Sequence, residues 1–158
     1  MSGWSELLVL LALVGSALMA GTFFIFSTTI MRSLAKLAPA EGIRAMQAIN
    51  RVILNPWFMG SFMGTAILSL VIGVLAFTGW PPFASPWFMG AAMLYLSGTF
   101  FATAFKNVPL NDELAKVTPE QAPEFWPFYL SKWTRYNHGR TVASTLAVIL
   151  YAIGLMQL

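Results

Sequence analysis

The chain has no cysteine and a single histidine, His138, among its 158 residues. The absence of cysteine excludes disulfides, thiolate nucleophiles and Cys-based metal sites. One imidazole cannot supply the usual zinc site or a two-histidine iron site. No metal site is therefore expected. A haem held by His138 remains an alternative, although the chain carries no haem-attachment motif.

Charge is also scarce, since only 9% of the residues are charged and the mean hydropathy is +0.70. Residues 7–31, 52–105 and 141–158 contain no charged side chain. A membrane-spanning helix needs about 20 mainly apolar residues, so the middle run is long enough for two. Glycine and prolines at residues 79–86 divide it. The sequence predicts an all-α membrane protein, with residues 1–158 forming a single four-helix domain of spans 5–31, 56–77, 86–106 and 138–157.

The nine Lys and Arg residues fall in two segments, 32–51 and 106–140, and none lies between the second and third spans. The positive-inside rule predicts that loops 32–55 and 106–137 are cytoplasmic and that both termini lie outside. The inner membrane of a bacterium is the expected location. The net charge of +3 is then explained by the basic residues of the two cytoplasmic loops, which orient the protein in the membrane, and it does not indicate nucleic-acid binding. Helical spacing predicts an interfacial helix near residues 38–53 and a cytoplasmic helical segment before the last span, which could itself begin at Pro127.

His138 belongs to a polar face of the last helix, with Thr134, Thr141 and Thr145 at helical spacing. If this face points into the bundle, the imidazole could accept a proton from a substrate near neutral pH. Trp133, Asn137, Thr141 and Ser144 form an adjoining face. In the alternative interpretation, His138 lies at the membrane interface and bonds to lipid headgroups or to a loop carbonyl.

Five asparagines lie on the predicted cytoplasmic side: Asn50, Asn55, Asn107, Asn111 and Asn137. An amide both donates and accepts hydrogen bonds, so such a group could hold a carbonyl or phenol of a substrate. Helix capping is the alternative, and it suits Asn55 and Asn111 well.

The third span carries a polar stripe in which Tyr95, Thr99, Thr103 and Asn107 follow one another at four-residue steps. This stripe faces neighbouring helices, and Tyr95 favours a lined cavity there, with helix packing as the alternative. The phenylalanines of "GTFFIFSTT" in the first span could line a pocket for a flat ligand, with packing or lipid contact as the default.

Four stretches carry a resemblance to a known family: "GTFFIFS" (21–27), "MQAIN" (46–50), "NVPLNDEL" (107–114) and "WTRYNHGRT" (133–141). The chain resembles the anthrone oxygenase-like proteins, which are small four-helix membrane proteins. The characterised fungal members of this family oxidise anthrones to anthraquinones. The resemblance implies that its motif residues form the site; these are Asn50, Asn107, Pro109, Asn111, Trp133, Asn137, His138 and Arg140.

On this basis we expect a cofactor-independent oxygenase acting on a flat phenolic, anthrone-like or quinol-like molecule. This substrate would reach the site from the bilayer between the first and last spans. His138 would act as the base, and Arg140, Asn107 and Asn137 would stabilise the enolate. The other expected substrate contacts are Asn50, Asn107, Asn111, Trp133, Asn137 and Tyr95. The alternatives are a non-catalytic binder of a lipid or quinone and a subunit of a membrane complex. The expected partners are the bilayer and a hydrophobic aromatic molecule, not nucleic acid; homo-oligomerisation is left open.

Overall fold

The computed structural model describes residues 3–82 and 84–158, which fold into five helices. We number them in chain order: α1 (Gly3–Leu34), α2 (Pro39–Val52), α3 (Pro56–Phe77), α4 (Ser85–Leu114) and α5 (Ala122–Leu155). The predicted domain of residues 1–158 thus includes three residues, 1, 2 and 83, that lie outside this description. All helices except α2 are long and apolar enough to cross a membrane. The predicted all-α, four-span fold is confirmed.

The start of α3 has a simple local cause. The Asn55 Oδ1 atom accepts hydrogen bonds from the backbone N–H groups of Trp57, at 3.1 Å, and Phe58, at 3.0 Å. Pro56 occupies the first turn, where its missing N–H leaves no intrahelical bond unmade. Asn55 is therefore a helix cap, and the predicted span of residues 56–77 has the observed bounds.

The third and fourth spans are longer than the sequence predicted. α4 continues beyond residue 106 to Leu114, and α5 begins at Ala122 rather than at Pro127 or residue 138. At 1.5 Å per residue, the 34 residues of α5 extend about 51 Å, well beyond a hydrocarbon core of about 30 Å. The extra turns are held by tertiary burial, because Trp126 and Tyr129 pack in one apolar cluster with Ile43 of α2 and Leu114 of α4.

The amphipathic helix α2 lies against this extension. A Cβ atom on Gly42 would lie 2.6 Å from two ring carbons of Trp126, so α2 and α5 meet where only glycine fits. On the opposite side of α2, Gln47 donates from Nε2 to the Leu114 carbonyl of α4 at 2.9 Å. The short helix is thereby fixed across one end of the four-span bundle.

Of the two polar faces that the sequence offers on α5, the structure buries the one that carries Trp133, Asn137 and Ser144. A row of buried residues recurs every three or four positions along it: Ala122, Trp126, Tyr129, Trp133, Asn137, Arg140, Ser144, Ala147, Tyr151 and Gly154, with Ala143 buried beside Ser144. His138 and Thr145 are exposed, so the interpretation in which the His138 face points into the bundle is wrong. The adjoining face is interior because it carries the large aromatics, whose burial contributes most, alternating with small residues that allow close helix packing.

Candidate functional site

A cavity of about 430 Å³ lies at the α2 end of the bundle, among all five helices. This volume falls within the range of about 300–1,000 Å³ that is typical of small-molecule sites. Its wall is mainly apolar and aromatic, with a few polar groups. The aromatic residues of the wall are Phe23, Phe26, Phe58, Phe62 and Trp133; the amide and charged ones are Gln47, Asn50, Arg51, Asn111, Asp112 and Arg140.

The Arg140 side chain reaches this cavity from α5 and is only 4% exposed. Its Nη2 donates to Asn137 Oδ1 at 2.7 Å, and its Nη1 donates to Thr103 Oγ1 at 3.2 Å. The guanidinium carbon lies 4.2 Å from the ring centroid of Phe23 and 5.1 Å from that of Trp133. Cation–π contact and two hydrogen bonds therefore hold the cation in one place.

No acidic side chain among the described residues forms an ion pair with Arg140. Its Nε is buried and finds no hydrogen-bond partner in the same part of the chain. Leaving a buried charge without a counter-charge costs roughly several kcal/mol. Arg140 lies next to the charge-free run of residues 141–158, which places it near the edge of the hydrocarbon region, where ionisable groups are usually functional. A cavity lined by this cation is suited to an anionic oxygen.

The Asn137 side chain closes the seam between α1 and α5. Its Nδ2 donates to the Phe23 carbonyl and to Ser27 Oγ, both at 2.7 Å. Ser27 Oγ also lies 3.2 Å from Thr141 Oγ1. These bonds tie α1 to α5 at this level. Entry of a substrate between the first and last spans stays a prediction. Asn137 is a support for Arg140 and is not among the residues lining the cavity.

Asn111 lies in the wall and is not a helix cap, since it is inside the last turns of α4. Its Oδ1 accepts from Tyr129 Oη at 2.8 Å and from Trp133 Nε1 at 2.9 Å. An indole N–H can only donate, so this contact fixes which end of the amide is the oxygen. Asn111 Nδ2 donates to no acceptor among the described residues and is available to a ligand in the cavity.

The remaining predicted substrate contacts divide into two groups. Asn50 and Trp133 line the cavity. Asn107 and Tyr95 are buried behind the wall: Asn107 Nδ2 donates to the Trp133 carbonyl at 3.3 Å, and Tyr95 Oη donates to the Phe62 carbonyl at 3.1 Å. These two residues position wall residues.

Rare π-helical turns accompany the site. They cover Phe26–Ile30 in α1 and Leu94–Phe101 and Thr103–Asn107 in α4. The wider turn changes the direction of the side chains that follow it, and such turns are frequent at functional sites. Phe26 and Thr103 in these turns line the cavity.

His138 lies apart from the cavity. It is exposed and lines an open groove on the outer side of α1 and α5, together with Arg32 and Arg135. On a helix, residues two apart point in nearly opposite directions. Because Arg140 points into the bundle, His138 points away from it. Proton transfer by His138 and haem ligation by it both stay predictions.

The exposed residues of the wall mark the mouth of the cavity. They are Arg51 in the last turn of α2, Leu54 just after that helix, Val108 and Asp112 near the end of α4, and Ala115 just after α4. Asp112 is the one carboxylate of the described cavity wall. The sequence analysis did not single out Asp112, although its place beside Asn111 in "NVPLNDEL" was a usable signal.

Comparison with known families bears on this wall directly. The sequence profile described as anthrone oxygenase matches residues 55–150, which is more than half of the chain. The chain belongs to the anthrone oxygenase family. The part matched by the anthrone oxygenase profile contains Asn107, Asn111, Trp133 and Arg140, whereas Asn50 precedes it. No curated protein and no solved structure matches the chain significantly.

Proposed function

We propose that the cavity binds a flat, hydrophobic phenol or aryl ketone of the anthrone type and catalyses its oxidation by O₂. The observation that carries this proposal is the buried guanidinium of Arg140, which lines an aromatic cavity and has no ion-pair partner among the described residues. Membership of the anthrone oxygenase family supports the choice of substrate class.

In the proposed complex the substrate ring lies among Phe23, Phe62 and Trp133, and its oxygen points to Arg140. Aromatic side chains favour flat ligands because ring faces and edges attract one another. Asn111 Nδ2 supplies a second donor, for a phenol or carbonyl elsewhere on the ring system. Both donors are fixed by bonds to protein before substrate arrives, which favours the stabilisation of charge that develops during reaction.

The proposed reaction begins with loss of a proton from the methylene carbon opposite the carbonyl. The electron pair of that C–H bond moves into the ring, and the carbonyl oxygen becomes an enolate oxygen beside Arg140. The methylene carbon then bonds to one atom of O₂, and the terminal oxygen takes up a proton to give a hydroperoxide. Loss of the remaining C–H proton breaks the O–O bond and yields a second carbonyl and water. The methylene loses four electrons and O₂ gains four, so no external reductant is needed.

Asp112 is the proposed acceptor of the first proton, because it is the carboxylate of the described wall. His138 lines a different surface, and we assign it no step. Asn107 and Asn137 act in this scheme as supports of Trp133 and Arg140. We assign enolate stabilisation to Arg140 alone. Asn107 and Asn137, which were expected to share this role, do not take part in it in this scheme.

Oxygen uptake by the purified protein with an anthrone tests the proposal. With ¹⁸O₂, we expect one labelled atom in each anthraquinone and one O₂ consumed for each product formed. The uncatalysed oxidation and the Arg140→Gln protein are the controls, and both should be at least about 100-fold slower. Equal rates with wild-type and Arg140→Gln protein would contradict the proposed role of the cation.

Binding of a quinone or related hydrophobe without turnover is a second candidate. It is favoured by the exposed position of Asp112 at the mouth, since a general base must reach the proton that it removes. This candidate predicts a co-purifying hydrophobe, detectable by native mass spectrometry, together with no oxygen uptake above the background rate.

A further inference from the structure

A second surface, which we call the basic groove, runs along the outside of the α1–α5 seam. It contains three cationic or cation-forming side chains, Arg32 from α1 and Arg135 and His138 from α5. All three are exposed. The apolar residues Met31 and Leu130 lie between them in the same groove. The basic groove is thus amphipathic, with basic groups around an apolar floor.

The charges of the basic groove are not balanced by the protein. No Asp or Glu lines the groove, and neither arginine pairs with an acidic side chain in the part of the chain that the structure describes. Two helices therefore present positive charge to one external ligand. A phosphate group, which accepts several hydrogen bonds from arginine, matches this arrangement.

The position of the basic groove along the helices indicates which phosphate it meets. Arg32 directly follows the charge-free run of residues 7–31, and His138 precedes the run of residues 141–158 by three positions. Both therefore lie where apolar spans give way to polar ends, at the level of lipid headgroups. Long basic side chains at such depths extend towards headgroup phosphates.

We propose that the basic groove binds an anionic phospholipid. The lipid phosphate would lie at Arg32, Arg135 and His138, and the acylated glycerol of the lipid would lie over Met31 and Leu130. Basic pockets between spanning helices are known recognition sites for anionic headgroups. Ser27 lies beneath the groove and accepts a hydrogen bond from Asn137, which in turn holds Arg140. The lipid and the cavity ligand would thus occupy opposite sides of Asn137. The proposal does not depend on oxidation, because lipid retention and turnover are measured separately.

Native mass spectrometry of the full chain in detergent tests this site, with phosphatidylglycerol and phosphatidylcholine of identical acyl chains as probes. Each basic residue near a membrane surface contributes about fivefold in affinity. We therefore expect wild-type protein to prefer phosphatidylglycerol by about 10- to 100-fold. The R32Q/R135Q/H138Q protein should lose this preference; Arg32→Gln and Arg135→Gln should each lose about fivefold, and His138→Gln should lose no more than this.

Lys132→Gln is the matched control, because Lys132 is exposed on the same helix and lies outside the basic groove. It should keep the preference for phosphatidylglycerol. An unchanged preference in the triple variant, or an equal loss in the Lys132→Gln protein, would overturn the proposal. Inorganic phosphate that displaces phosphatidylglycerol at equal concentration would also overturn it, since the site would then recognise the free anion. If the triple variant does not fold, the three single variants decide the outcome.

Discussion

Asn137 accepts a hydrogen bond from Arg140 Nη2 at 2.7 Å and anchors itself to α1 through bonds from Nδ2 to Phe23 and Ser27. One amide therefore closes a helix seam and fixes the buried cation of the cavity. Because every polar atom of the Asn137 side chain is engaged, the direction of the Arg140 guanidinium is set before any ligand binds. A substitution that removes the Asn137 amide should therefore weaken both the contact between α1 and α5 and ligand binding in the cavity.

Replacing Asn137 by leucine should lower the free energy of unfolding by about 1–3 kcal/mol, since it removes three hydrogen bonds and leaves Arg140 Nη2 without its acceptor. Thermal denaturation in detergent measures this change, and affinity for a cavity ligand should fall with it. Thr145→Val is the control, because Thr145 lies on the same helix, is exposed and bonds only to the Thr141 carbonyl. Equal stability of the two variants would show that the seam bonds contribute little.

Two substitutions at Asn111 distinguish its structural role, as acceptor for Tyr129 and Trp133, from its proposed role as a donor to the ligand. Asn111→Asp keeps an acceptor for Tyr129 and Trp133 but removes the Nδ2 donor and adds negative charge to the wall. We expect nearly unchanged stability and at least about tenfold weaker binding of an anionic ligand. Asn111→Leu leaves both buried donors unsatisfied and should destabilise the fold by about 2 kcal/mol or more. Tight anion binding by the Asn111→Asp protein would remove Asn111 from the proposed contacts.

The proposed base is tested by replacing Asp112 with asparagine. Loss of a general base should reduce kcat by about 10²- to 10⁴-fold with little change in KM. Glu113→Gln is a close control, because Glu113 is the neighbouring exposed carboxylate and does not line the cavity. If both variants turn over anthrone at the wild-type rate, proton removal must be assigned to another group or to water.

The contact between α2 and α5 should respond to a single methyl group. Alanine is favoured over glycine in a helix by about 1 kcal/mol, yet Gly42→Ala should lower stability because the new Cβ overlaps Trp126. Gly64→Ala, where nothing lies within 4 Å of the added Cβ, should be neutral or stabilising. Melting temperatures of the two variants give the comparison. A Gly42→Ala protein as stable as the Gly64→Ala protein would mean that α2 is loosely held.

Several features follow from local sequence, and others do not. The bounds of α3 are set by Asn55 and Pro56 at one end and by the glycine–proline turn at the other, so sequence predicted them. The beginning of α5 was predicted less well, because Pro127 signals a helix start locally, whereas packing of Trp126 and Tyr129 against α2 extends the helix to Ala122. Burial between distant helices has no signature within one segment.

The same limit applies to the site. The sequence pattern grouped His138 with the threonines at helical spacing, because such a pattern reflects the polarity of side chains and not the size of their neighbours. The bundle instead buries the face that carries Trp133, Asn137 and Arg140. The lack of a counter-charge for the buried Arg140 can be recognised only from the arrangement of all five helices, because it depends on the absence of acidic side chains around the guanidinium.

The claim that Arg140 binds the oxygen of the substrate is tested most directly by equilibrium binding of an unreactive anionic analogue, a hydroxyanthraquinone, to three proteins. We expect the wild-type and His138→Gln proteins to bind it with dissociation constants within about threefold of each other. Arg140→Gln should weaken binding by about 100-fold, as expected for loss of a charge-assisted contact in a desolvated site. Unchanged affinity in the Arg140→Gln protein, or loss of affinity in the His138→Gln protein alone, would contradict the account.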